Sequence, residues 1–352
     1  MRDRIELQID NRRVENFLAY TLEADIYTAD DAFSLDVANP EIGITEGGRC
    51  KLRVNDTPEL TGIIDRVSEG FSKRGEQLRV EGRDLCGLLV DSYCEEFIDV
   101  QGMKVKALAE RLIKNVPYIQ RSDIVYQQDI KGNLKKKKSS SSGGLAGLDT
   151  DQNFSKIMPG QTVFEVLKTY AGSRGLMFYA MPDGTFVIGK PKDGGVPQYT
   201  FIRRKSDPRE NNVLEGTLDK NISQRYSKVT IVGQQQGTDS TGAGDISTIC
   251  SATDPAFPFY KPYVAVDNND AKSPKLRAQM MLEKQKYQGF QISYRVRGHS
   301  QNGKNYRINE MCHVVDERWK LNGDYLIYGR TFEMSKQGVF TTLKIGLPGA
   351  IL

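Results

Sequence analysis

The chain has 352 residues, 38% of them hydrophobic and 9% aromatic, with 49 basic and 45 acidic side chains and a net charge of +4. This length gives room for roughly two to three domains, and a charge this close to balance gives no reason to expect a basic nucleic-acid face. No apolar run reaches the ~18 residues of a spanning helix, and the opening Met-Arg-Asp-Arg-Ile-Glu has no apolar signal core, so a soluble protein without a cleaved signal is expected.

The first ~95 residues read as short strands. In Cys50–Val54, Leu52 and Val54 share one face; in Gln77–Glu81, Leu78 and Val80 do. Gly47-Gly48, Asn55-Asp56, Gly70 and Gly75 fall between the runs as turn residues. A small β-barrel over residues 1–95 is expected, completed by strands near 196–235.

The period then changes. Val105, Leu108, Ala109, Leu112 and Ile113 make the apolar stripe of a helix, and Val163, Val166, Leu167 and Tyr170 make a second over Thr162–Ser173, with Gly175 as its stop. Met177–Tyr179 and Thr185–Ile188 read as a hairpin around Pro182-Asp183-Gly184. Residues 96–195 are therefore expected to form an α+β domain. Within it, 131–155 is rich in Lys, Ser and Gly and contains Lys135, Lys136, Lys137 and Lys138. It reads as a solvated loop. The sharper alternative is a basic finger that touches nucleic acid or an acidic partner, though no aromatics interleave for base stacking.

Strands resume at Val213–Leu218 and Lys228–Gly233. Ser273 as N-cap, Pro274 at the first position, then Leu276, Met280 and Tyr287 predict a helix over 273–288. Phe290, Ile292, Tyr294 and Val296 alternate with polar residues, as do Leu343, Ile345 and Leu347. A second β-barrel domain over 236–352 is expected. Residues 49–81 and 311–347 also read alike: Gly62 follows Cys50 by 12 residues and Gly323 follows Cys312 by 11. Two readings stand, a chance likeness of two β-meanders or a barrel duplicated within one chain.

Candidate chemistry is sparse. Cys50, Cys86, Cys94, Cys250 and Cys312 are odd in number and include no CxxC pair, so buried reduced thiols are expected. His299 and His313 have no second ligand at metal spacing, and no G-x-S-x-G occurs. The stretch from Gly237 lacks the Lys-Ser/Thr end of a P-loop, and Asp267-Asn-Asn-Asp lacks the Gly and closing Glu of an EF-hand. Asp316 and Glu317 are adjacent, so on a strand they point to opposite faces. No catalytic residue, metal site or cofactor is expected.

Several stretches carry a resemblance. Glu46-Gly-Gly-Arg-Cys-Lys-Leu-Arg-Val, Leu60-Thr-Gly-Ile-Ile-Asp and the run from Val80 to Asp91 resemble the N-terminal part of Mu-like baseplate hub proteins. Pro159–Leu167 resembles that family's helix start, Ser223–Gln234 its strand ending in Gly-Gln, and Gly298, Gly303, Tyr306, Asn309 and Asp316 its later glycine-rich segment. His299 stands where the family has an aromatic, and the lysine-rich insert is outside the pattern. The resemblance implies a structural subunit of a contractile phage tail rather than an enzyme. It implies a homotrimer in which two similar β-barrels per chain make a pseudo-sixfold ring. That ring would join a hexameric tail tube to a trimeric spike, contact other baseplate proteins and leave a lumen for phage DNA. Synthesis in a bacterial host cytoplasm and residence in the virion follow. The alternatives are a tail-associated cell-wall hydrolase and a DNA-binding tail module that uses the lysines.

Overall fold

The computed structural model describes residues 3–9, 12–38, 43–73, 75–100, 103–120, 123–126, 156–173, 176–235, 246–267 and 274–351. The chain opens with β1 (Ile5–Ile9), β2 (Arg12–Val14), β3 (Phe17–Asp25), β4 (Ala32–Val37), β5 (Arg49–Val54), β6 (Thr57–Ser72) and β7 (Gly75–Asp84). A mixed segment follows: α1 (Cys86–Asp91), β8 (Ile98–Asp99), α2 (Val105–Leu112), β9 (Ile124–Tyr126), β10 (Lys156–Ile157), α3 (Val163–Ser173), β11 (Met177–Ala180) and β12 (Phe186–Gly189). The rest holds β13 (Tyr199–Arg203), β14 (Val213–Lys220), β15 (Lys228–Gln235), β16 (Ile246–Thr253), β17 (Pro262–Asp267), α4 (Pro274–Gln288) and β18 (Phe290–Arg297). It closes with β19 (Ser300–Gln301), β20 (Lys304–Asn305), β21 (Glu310–Asp316), β22 (Leu321–Ser335) and β23 (Gly338–Gly346).

The protein is mainly β. Thirteen strands form one sheet, in the order β14-β18-β23-β22-β3-β4-β7-β6-β5-β1-β2, with β21 beside β22 and β13 beside β21. Its pairs are antiparallel except β13 with β21. The alternation read from the sequence places Leu52 and Val54 of β5, Leu78 and Val80 of β7, and Ile292, Tyr294 and Val296 of β18 in one shared core.

The sheet contains the same five-stranded unit twice. In β6·β7 the partners include Ile63↔Arg83, Ile64↔Gly82, Arg66↔Glu81 and Ser72↔Gly75. In β22·β23 they include Leu326↔Gly346, Ile327↔Ile345, Gly329↔Lys344 and Ser335↔Gly338. Adding 263 to each number of the first set gives the second, and the bulge between Ile64 and Arg66 becomes that between Ile327 and Gly329. The hairpins close alike, on Ser72-Lys-Arg-Gly75 and Ser335-Lys-Gln-Gly338, with both glycines at positive φ. Adding 196 on β3 and 259 on β4 likewise turns Phe17↔Val37 and Leu22↔Phe33 into Val213↔Val296 and Leu218↔Ile292, and here too a bulge recurs at the same place. The unit β3-β4-β7-β6-β5 thus reappears as β14-β18-β23-β22-β21, in the same chain order. Bulges recur because they set strand bend and twist. The matched residues differ from the sequence reading in one detail. Cys50 and Cys312 are equivalent, since Cys50 pairs with Gly62 and Cys312 with Tyr325, but Gly62 and Gly323 are not.

The helical segment has its own core. Val105, Leu108, Ala109 and Ile113, with Val163, Val166, Leu167 and Tyr170, are buried together as their spacing predicts, and Leu85, Cys86 and Leu89 of the α1 turn join them. Thr162 and Glu165 exchange side chain-to-backbone hydrogen bonds at 3.1 Å, a capping box that starts α3. The hairpin β11·β12 forms as expected. Gly175 and Ser273 lie outside the described residues.

Two placements differ from the expectation. Strands β13 and β14 do not complete the first run of strands; they ladder to β21 and β18. Strands β15, β16 and β17 leave the large sheet and form a three-stranded sheet under α4, with Val229, Ile231, Ala278 and Leu282 as a separate core. Strand propensity marks these segments as strands but not their partners, which lie far along the chain.

Candidate assembly surface

The titratable groups singled out by sequence do not converge. His299 is buried, with its ring stacked on Phe332 at 4.3 Å between centroids. Its Nδ1 is 3.0 Å from the Thr341 hydroxyl, which itself donates to the Gly298 carbonyl at 2.6 Å. Nδ1 must therefore donate, and Nε2 accepts from the Tyr20 hydroxyl at 2.7 Å. Burial pushes this imidazole down to about 4. The neutral ring thus fills an aromatic slot with both nitrogens satisfied. His313 lies elsewhere, 2.6 Å from Asp324.

Asp316, the last residue of β21, is buried, whereas Glu317 lies in the turn after it and is exposed, so the two do not share a site. Burial pushes the Asp316 carboxyl up, but the Arg203 guanidinium, the Trp319 N–H and the Tyr294 hydroxyl outweigh it and hold the group below its ordinary value. Glu317 instead accepts from the Lys205 and Ser206 backbone N–H groups. A surface depression lined by Arg203, Arg204, Lys205, Glu317 and Arg318 lies next to it. Among the described residues no three His, Cys, Asp or Glu side chains gather as metal ligands. All five cysteines are free thiols, and Cys250 is the one of them that is not buried. Burial pushes the Cys50 thiol up to about 12.

What the fold presents instead is edge and face. The C-terminal half of β6, from Arg66 to Ser72, pairs with β7 and has no second ladder among the described residues. Phe71 in this stretch is 92% exposed. Strand β14 pairs with β18 alone among the described residues and is exposed at most positions. On the three-stranded sheet, Ile249, Val264 and Val266 are exposed apolar side chains, with Ile249 and Val266 flanking Val232 across the ladder. Open ladder edges and exposed apolar rows are the features through which β proteins join other chains.

The fold also binds its two units to each other. Glu59 of β6 and Arg330 of β22 form a fully buried ion pair at 2.6 Å. Asn305 donates to Glu59 Oε1 and to the Val54 carbonyl, each at 2.7 Å, and Arg330 donates to the Tyr306 carbonyl at 2.9 Å. Asn305 ends β20 in the tight hairpin of β19 and β20, where Asn302 and Gly303 both have positive φ, and Tyr306 follows it. The Gly303 and Tyr306 of the glycine-rich segment thus serve this junction. Sequence reading missed Glu59 and Arg330, because lone charged residues in apolar runs carry no signal of their partners. Lys135, Lys136, Lys137 and Lys138 lie outside the described residues. No helix among the described residues is long and apolar enough to cross a membrane.

Comparison with known proteins agrees with this picture. Residues 4–84 match the family model "Mu phage baseplate assembly protein GpP-like, N-terminal", and residues 225–281 match "Tail protein NMB1110-like, third domain". No curated protein matches the chain by sequence. Among solved structures, a tail protein from Neisseria meningitidis superposes with a TM-score of 0.79 at 24% identity, covering 98% of this chain and 97% of that one. The 43 kDa tail protein of prophage MuSo2 from Shewanella oneidensis superposes with a TM-score of 0.75 at 19% identity, covering 97% and 98%. The E. coli c3393 protein, a type VI secretion component with structural similarity to T4 bacteriophage tail proteins gp27 and gp5, reaches a TM-score of 0.57 at 12% identity, covering 98% and 77%. The fold is therefore that of phage tail proteins, and the resemblance read from the sequence is borne out. Residues 4–84 and 225–281 thus match phage baseplate and tail protein family models, and the chain as a whole shares the fold of phage tail proteins.

Proposed function

We propose that this chain is the structural hub of a contractile-tail baseplate, assembled as a ring of three copies without catalytic activity of its own. The carrying observation is the five-stranded unit duplicated within one chain, with the β3·β4 and β6·β7 registers and their bulges repeated in β14·β18 and β22·β23. Three copies then supply six like units, so one ring matches a sixfold tail tube on one side and a threefold spike on the other. In this reading each unit is the wall of a small barrel, and the ring encloses a lumen through which phage DNA passes in the virion. The helical segment, with its separate core, and the small sheet under α4 are peripheral domains that meet other baseplate proteins. A DNA channel works best without clustered cations, which hold phosphates tightly. The lining of the lumen is therefore proposed to carry no cluster of cations.

Size-exclusion chromatography with light scattering of the full chain tests the reading. A monodisperse trimer at micromolar concentration is expected. A chain that stays monomeric there would sink it, because a single copy cannot adapt threefold to sixfold symmetry.

A further inference from the structure

The two units differ in one respect. The second half of β22 is paired on both sides: with β23, and with β3 through Gly329↔Asp25 to Met334↔Tyr20. The equivalent half of β6 is paired with β7 alone, and β14, the equivalent of β3, is paired with β18 alone, among the described residues. Each chain thus contains one completed junction between units and the two halves of a second.

We propose that the open half of β6 in one copy pairs antiparallel with β14 of a second copy of this chain, in the register that β22 and β3 use within it. This rests on the ring reading above and specifies its seam. Carrying β22·β3 back by 263 on β22 and forward by 196 on β3 sets Val67 opposite Lys220, Glu69 opposite Leu218 and Phe71 opposite Gly216.

Three independent features fit this register. The first is the side of the sheet. Val67 and Leu218 both pack against the central core from their own units, and the proposed register puts them on one face; a slip by one residue would set a core-facing residue against an outward-facing one. The second is charge. Cross-strand diagonals bring Glu69 beside Lys220 on one face and Arg66 beside Asp219 on the other, while no like charges stand directly opposite. The third is the exposed ring of Phe71. Its intrachain counterpart, Met334, lies against the core, and its partner position is Gly216, where a Cβ would sit 2.6 Å from the Tyr294 ring. The Tyr294 ring already occupies the space over Gly216, so the exposed Phe71 ring would be set beside that aromatic from across the seam. A head-to-tail contact of this kind is heterologous, so it builds a ring when its rotation closes after three copies, and not a twofold dimer.

Cysteine pairing in the full chain tests the seam. In a Cys250→Ser background, Val67→Cys with Lys220→Cys places thiols on directly opposed positions, and oxygen with copper-phenanthroline as catalyst oxidises close pairs to disulfides. Covalent trimers are expected. Phe71→Cys with Lys220→Cys lies four residues out of register, on the order of 13 Å apart along the strand, and no covalent trimer is expected. A chain that is trimeric by light scattering yet never links 67 to 220 overturns this seam and leaves the ring reading standing. Equal linking of both pairs overturns the register. A monomer overturns both.

Discussion

The Arg330 guanidinium lies 2.6 Å from the Glu59 carboxylate, and neither side chain has any exposure to solvent. The pair ties β6 of the first unit to β22 of the second. A buried charge deprived of its partner costs about 3–5 kcal/mol, whereas an apolar pair of similar volume is often tolerated. Glu59→Leu and Arg330→Met are each expected to lower unfolding stability by about that amount, and the double variant to recover most of it. Denaturant titration of the four proteins measures this. Additive losses would show that the pair contributes nothing as a pair.

His299 makes the fold sensitive to acid. Its folded value is pushed down to about 4 by burial, against about 6.5 in the unfolded chain. Its contribution to stability is fully present above pH ~6.5 and is lost as the pH falls toward 4. His299→Phe keeps the ring stacked on Phe332 but removes the titration. It is expected to flatten the stability profile between pH 6.5 and 4, at the cost of the Tyr20 and Thr341 hydrogen bonds. Thermal unfolding across that range is the measurement.

Asp31 acts in the opposite direction. Burial, above all, pushes its carboxyl up to about 7, and Asp84 beside it is raised for the same reason and by Asp31 itself. A raised carboxyl contributes stability that is present below the unfolded value of about 3.9 and lost as the pH rises through 7. Asp31→Asn retains a carbonyl to accept the Asp25 N–H bond of 2.8 Å. It is expected to stabilise the chain at pH 8 and to change little at pH 4. No difference between the two pH values would refute the assignment.

Gly62 explains the glycine of the Leu60-Thr-Gly-Ile-Ile-Asp motif. A Cβ at this position would fall 1.9 Å from the Arg83 carbonyl oxygen, a backbone atom that cannot turn aside. Gly62→Ala is expected to cost at least about 1–3 kcal/mol, the usual penalty of overpacking. Gly303→Ala, where nothing stands within 4 Å but φ is positive, is expected to cost less, through strain alone. Paired chemical denaturation curves decide the order.

Thiol labelling checks the cysteine reading. Cys50, Cys86, Cys94 and Cys312 are buried and Cys250 is not, and burial raises the first four. One fast-reacting thiol per native chain is expected, and it should vanish in Cys250→Ser. Fast reaction of several thiols would show that the core opens.

The alternation around Leu52, Leu78 and Ile292 and the helical spacing of Val105 to Ile113 are local properties. The side-chain period sets which face is buried, so these elements were legible in the chain alone. So was the likeness of the Cys50 and Cys312 segments, because both carry the same burial pattern. The pairing of β13 and β14 with β21 and β18 was not, since ladder partners are chosen by packing across long stretches of chain. The same holds for the separate sheet under α4 and for the Glu59–Arg330 pair. The candidate assembly surface is likewise a tertiary fact. Phe71, Val67 and Leu218 are ordinary strand residues in the sequence. They mark an open edge only because the fold completes one junction between its two units, at β22 and β3, and, among the described residues, leaves the equivalent edges of β6 and β14 without that partner.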